Sequence, residues 1–129
     1  MNYEVPEDIK LECLEMQRFL EEEADNDPQI LYERISKTNV MLARSGKLLA
    51  EVKRLQGLAM KDVFLGYTEY ISKLSATLAK QFVMTFTTDI NYYVDWLDRL
   101  NRAFVHSGDN IRTQMSFLKE ELRLNKAGY

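Results

Sequence analysis

Residues 92–106, YYVDWLDRLNRAFVH, hold the only tryptophan and the only histidine of the chain and interleave aromatic side chains with arginines. On a helix at 100° per residue, Tyr92, Trp96, Arg99, Ala103 and His106 fall on one stripe. It lies beside a core stripe of Ile90, Tyr93, Leu97, Leu100 and Phe104. Trp96 therefore belongs at the rim of the core. Tryptophan, tyrosine and arginine dominate the binding energy of protein interfaces, so Tyr92, Trp96, Arg99, Arg102 and His106 form the first candidate surface, with a protein as the expected partner. The structural alternative is that Trp96 seals the bundle while the arginines pair with Asp95 and Asp98.

A second constellation is a basic ridge. Lys47, Arg54 and Lys61 recur every seven residues with Arg44 beside them, and they project roughly opposite Leu49. Such a row can follow a phosphate backbone, which makes nucleic acid the alternative partner. The net charge of −3 argues against it, as does the absence of interleaved aromatic residues. That average hides an asymmetry. Residues 1–29 carry ten acids against Lys10 and Arg18, a net of −8, while residues 34–61 carry seven bases against Glu51, a net of +6. The acidic segment can lie across the ridge or leave it for a partner of opposite charge.

The residue types that are missing exclude more chemistry than those present suggest. One histidine and one cysteine cannot assemble the usual zinc, haem or iron–sulfur ligand sets, and the paired Glu-x-x-His ligands of a di-iron bundle are absent. There is no phosphate-cradling glycine loop and no nucleophile elbow. The expectation is a protein without cofactor, metal or catalytic residue. Cys13 reads as a small buried apolar residue in a reducing compartment.

These side chains need elements to hold them, and the spacing predicts only helices. Both prolines, Pro6 and Pro28, suit helix starts, and three- and four-residue apolar steps recur with no two-residue alternation. The chain reads as a single all-α domain, an elongated bundle of about four helices on a long antiparallel hairpin. Its helices fall near 6–24, 28–62, 67–84 and 88–125. Acids in EEEADND oppose the macrodipole and predict fraying at the end of the first helix, and Asp27 caps the second. Leu31, Ile35, Leu42, Leu49, Val52, Ala59 and Val63 make a wide stripe on the second helix, and the small residues Ala43, Gly46, Ala50 and Gly57 invite a close neighbour. Met41, Met60, Met84 and Met115 read as core filler. Thr87 or Thr88 caps the last helix, which runs on through Ser107, Gly108 and Asn110 to a loose NKAGY end. Long amphipathic helices with so broad an apolar face predict a homo-oligomer. No run approaches the roughly 20 apolar residues of a membrane span, and the acidic start is unlike a secretory signal, so the expected location is the cytoplasm, without membrane contact.

Two resemblances attach to these residues. Arg99 and His106, with six residues between them, fit the loose arginine-to-histidine pattern of the HEPN ribonucleases, helical bundles in which the histidine acts as acid or base at a 2′-hydroxyl and the arginine stabilises phosphate charge. Leu100 replaces the polar residue that usually follows the arginine. Residues 39–60, 93–106 and 111–122 resemble small helical proteins of tailed phages and prophages of Bacteroidetes. That resemblance implies a mobile-element protein acting in a bacterial host's cytoplasm. Such a protein would occlude a host complex, such as an RNA-guided defence nuclease, or assist phage replication, recombination or assembly.

Overall fold

The computed structural model describes residues 3–23 and 25–128, and five helices account for nearly all of them: α1 (Glu7–Glu21), α2 (Pro28–Gly66), α3 (Thr68–Ile71), α4 (Ala76–Thr85) and α5 (Thr88–Lys126). The described residues contain no strand. α2 and α5 are 39 residues each, about 58 Å long at 1.5 Å per residue. They form the antiparallel hairpin that the periodicity predicts. Its register is fixed by polar pairs across the seam: Gln56 Nε2 donates to Asn91 Oδ1 at 2.7 Å, Asn101 Nδ2 to Ser45 Oγ at 3.1 Å, and Arg112 Nη2 to Asn39 Oδ1 at 3.4 Å.

α1 lies against one side of the hairpin and runs parallel to α5. Near its start the Val5 amide donates to Asp89 at 3.0 Å, further along the Trp96 indole N–H donates to Gln17 Oε1 at 2.9 Å, and at its end Phe19 meets Phe104 with ring centroids 6.3 Å apart. Val5, Ile9, Cys13, Met16 and Phe19 enter a core with Leu48, Val52, Ala59, Ile90, Leu97, Leu100 and Phe104. Burial and the neighbouring Glu12 carboxylate push the Cys13 thiol up to about 11. A smaller core of Val63, Ile71 and Val83 closes the turn end, where Tyr67, Phe82 and Phe86 stack.

The helix ends depart from the sequence expectation for local reasons. α1 stops at Glu21; Ala24, its expected last residue, lies outside the described residues, as does Tyr129 of the NKAGY end. In place of simple fraying, Arg34 of α2 donates to the carbonyls of Phe19 at 2.7 Å and Glu22 at 3.1 Å and lies 4.2 Å over the Phe19 ring. A cation thus reaches the negative end of the α1 dipole from a neighbouring element. α2 continues through Gly57 to Gly66, four residues beyond the expected 62. The third helix expected at 67–84 is two, because Ser75 accepts from the Leu78 amide at 3.2 Å and starts α4 after a turn. Leu78 of α4 is exposed. α4 keeps Val83, Met84 and Thr85, so only Phe86 and Thr87 separate it from α5. Thr87 stands at the N-cap position of α5 without a side-chain capping bond; its hydroxyl donates back to the Met84 carbonyl at 3.4 Å.

Two buried positions of α2 carry hydroxyls that an apolar pattern passes over. Thr38 donates to the Arg34 carbonyl at 2.8 Å and Ser45 to the Leu42 carbonyl at 3.0 Å, so neither hydroxyl is buried unsatisfied. Of the small residues, Gly46 faces α5, with Asn101 Nδ2 3.5 Å from where its Cβ would stand, whereas Ala43, Ala50 and Gly57 are exposed. Met41, Met60 and Met115 are partly buried as filler, but Met84 is exposed. At the far end, Leu118 is partly buried and Leu122 exposed, because α5 there runs past the start of α2 at Pro28.

Candidate functional site

The mid-section of α5 fixes the first candidate surface. Its core side, Ile90, Leu97, Leu100 and Phe104, is buried against α1 and α2, which holds the opposite flank at one orientation to solvent. Trp96 is half-buried: its N–H is spent on Gln17, and its ring packs on Tyr92 and Tyr93 at centroid distances of 5.7 Å each. Tyr93 is held in turn beneath Lys10, whose Nζ sits 5.6 Å from the ring centroid and 3.7 Å from Asp89. Partial burial holds the Tyr93 phenol above its usual range. Trp96 therefore seals the α1–α5 seam, and only its outer edge adjoins the candidate surface.

Tyr92 is 58% exposed and meets Tyr93 edge-on at 5.2 Å. Arg99, Arg102, Ala103 and His106 form a shallow open ledge along the outer flank of the same helix. Arg102 is paired with Asp98 at 2.7 Å, as the structural alternative anticipates, while Arg99 makes no ion pair among the described residues. All five sequence-selected residues thus lie along one continuous flank, with Tyr92 and Trp96 at one end and His106 at the other. Arg99 and His106 share the ledge with no wall facing them among the described residues.

The basic ridge is broken into paired and unpaired cations. Arg44 makes a bidentate contact to Glu12 of α1 at 2.7 and 2.6 Å, and this holds the Glu12 carboxyl below its usual range. Arg54 is taken by Glu51 of its own helix at 2.6 Å. Lys47 and Lys61 are exposed and in no ion pair among the described residues. The acidic first helix does not cover the ridge; it reaches α2 through Glu12 at Arg44 and through its C-terminal end at Arg34.

Among the described residues, no cluster of three histidine, cysteine or acidic side chains is placed to hold a metal ion, and no helix is long and apolar enough to cross a membrane. The exposed apolar side chains Phe64, Leu65, Tyr70 and Leu78 gather near the α2–α4 end, a feature the periodicity did not single out. Compared with known protein families, curated proteins and solved structures, the chain matches none.

Proposed function

We propose that this chain is a non-enzymatic helical interaction protein that binds and modulates a protein partner through the outer flank of α5. The observation that carries it is the presentation of Tyr92 and Arg99. Both stand on the best-supported stretch of the longest helix pair, Tyr92 braced by Tyr93 and Trp96, Arg99 free of ion pairing among the described residues. An aromatic ring and an unpaired guanidinium on a rigid support are the side-chain types that lose little entropy and gain much on desolvation. The resemblance to tailed-phage proteins supports a partner in a bacterial host, such as an RNA-guided defence nuclease complex.

A tagged pull-down from that host, with and without nuclease, tests the reading. Because Trp96 also holds α1, the informative variant is Tyr92→Ala with Arg99→Ala. A partner that survives nuclease and loses at least about tenfold in affinity in this variant, with helical content unchanged, is the expected result. Unchanged capture sinks the reading. The second reading, nucleic-acid binding, is favoured by Lys47 and Lys61, the ridge cations left without carboxylate partners. It requires nuclease-sensitive recovery that falls steeply with salt and in Lys47→Glu with Lys61→Glu.

A further inference from the structure

The seam between α2 and α4 holds an apolar groove of about 510 Å³, floored by Met60 and Phe64 of α2 and by Ala79 and Val83 of α4. It stays open because Ala76 and Ala79 put only a methyl group each into the seam. Lys61 of α2 and Lys80 of α4 border it from the two helices, both exposed and in no ion pair among the described residues. Among those residues no acid lines the groove, and Asp62, next to Lys61 in sequence, lies near Tyr3 instead. The tail of α5 has the opposite character. Phe117 is 67% exposed and Leu124 lies seven residues on, on the same face and also exposed, while Met115 and Leu118 turn toward the start of α2. Between Phe117 and Leu124 on that face stand Glu120, held by Arg123 at 2.6 Å, and Glu121, in no ion pair among the described residues. Lys119, Arg123 and Lys126 fall on the far side of the helix.

We propose that the α5 tail of one copy of the chain docks in the α2–α4 groove of another, with Phe117 and Leu124 on the groove floor and Glu121 against Lys61 and Lys80. Length selects this occupant first. Ala76 to Val83 is seven steps along α4, a rise of about 10 Å, the same as from Phe117 to Leu124, and anchors at i and i+7 are how an amphipathic helix fills a groove. Charge selects it second, since the two lysines have no carboxylate of their own chain and Glu121 has no base. Reach then excludes the same chain. Arg112 pairs with Asn39, which sets residues 117–124 beside the start of α2, about 45 Å along the hairpin from the groove. The contact joins two different patches, so copies link in series or close into a ring. Its footprint of about two helical turns is well under a standard interface, which makes it weak and concentration-dependent. It leaves the outer flank of α5 at residues 92–106 free for the protein partner.

Sedimentation velocity of the full chain, in a series reaching about 1 mM, tests it through two variants at exposed positions. Phe117→Glu disables the tail and keeps the groove, whereas Lys61→Glu with Lys80→Glu disables the groove and keeps the tail. The wild type is expected to form species beyond a dimer, and each variant alone to associate about tenfold more weakly. Mixing the two variants restores one intact contact, so a 1:1 pair that grows no further is expected. Glu121→Lys added to the groove variant should recover association by reversing both signs. Circular dichroism checks that each variant stays helical. A monomer at every concentration overturns the proposal. So does association indifferent to both variants, or a mixture no more associated than its components.

Discussion

At the scale of single residues, the side chain with most to lose is Arg34. Its guanidinium is nearly enclosed, donates to two carbonyls at the end of α1, stacks on Phe19 and lies 3.6 Å from the Glu22 carboxylate. Hydrogen bonds from a charged donor contribute roughly 1.5–3 kcal/mol, so Arg34→Met, which keeps the stacked stem, should destabilise the fold by about 2 kcal/mol in urea unfolding. A change below about 0.5 kcal/mol would mean that the end of α1 is held by its apolar contacts alone. The sequence names Arg34 only as one of seven bases in its segment. That it caps another helix depends on a contact fifteen residues away, which no periodicity encodes. The same distinction applies to Trp96: its rim position follows from 100° steps, but its bond to Gln17, 79 residues distant, decides that it is a seal first and a binding group second.

At the scale of elements, the long helices tolerate their weak formers for different reasons. Gly57 sits exposed within α2 with nothing within 4 Å of its missing Cβ. Gly57→Ala should therefore raise stability by about 1 kcal/mol in the same measurement, the difference in helix propensity, with no packing term to oppose it. Loss of stability there would show that the helix bends at this point. Gly108 is buried instead, with Thr38 and Ile35 side chains 3.8 Å from its Cβ position, so it gives α5 close passage past α2. The division between α3 and α4 rests on Ser75, which was readable as a cap by type but masked by the unbroken apolar steps around it. Leu74 and Leu78 keep helical spacing across a turn, and periodicity alone cannot report that a cap has won over propagation.

At the scale of the whole molecule, support is uneven along the hairpin. The stretch from Ile90 to Phe104 is packed by both α1 and α2, whereas beyond Ile111 only the start of α2 accompanies α5, and Phe117, Leu122 and Leu124 are exposed. Local opening follows buried contact, so amides of residues 116–126 should exchange with solvent fastest within α5, and those of 97–108 should approach the global unfolding limit. Slow exchange at the tail would reveal a partner or second copy seated on it. The acid–base asymmetry also becomes legible at this scale. Among the described residues the strongly acidic first segment and the basic second one are joined by two ion pairs, Glu12 with Arg44 and Glu22 with Arg34, and the remaining cations of α2 face outward.

The amino-acid pattern by itself determined the all-helical class, the two long helices and their antiparallel pairing, because helical phase and the positions of Pro6, Pro28 and the glycines are local properties read within a few turns. It also placed Tyr92, Trp96, Arg99, Arg102 and His106 on one flank, since a single continuous helix carries all five. Only the tertiary structure decided which side of the hairpin α1 covers, that Arg44 is neutralised by α1 while Lys47 and Lys61 stay unpaired among the described residues, and that Thr38 and Ser45 belong inside. Those outcomes depend on which helices meet and in what register. That choice is made by the summed burial of distant side chains, to which no local spacing is sensitive.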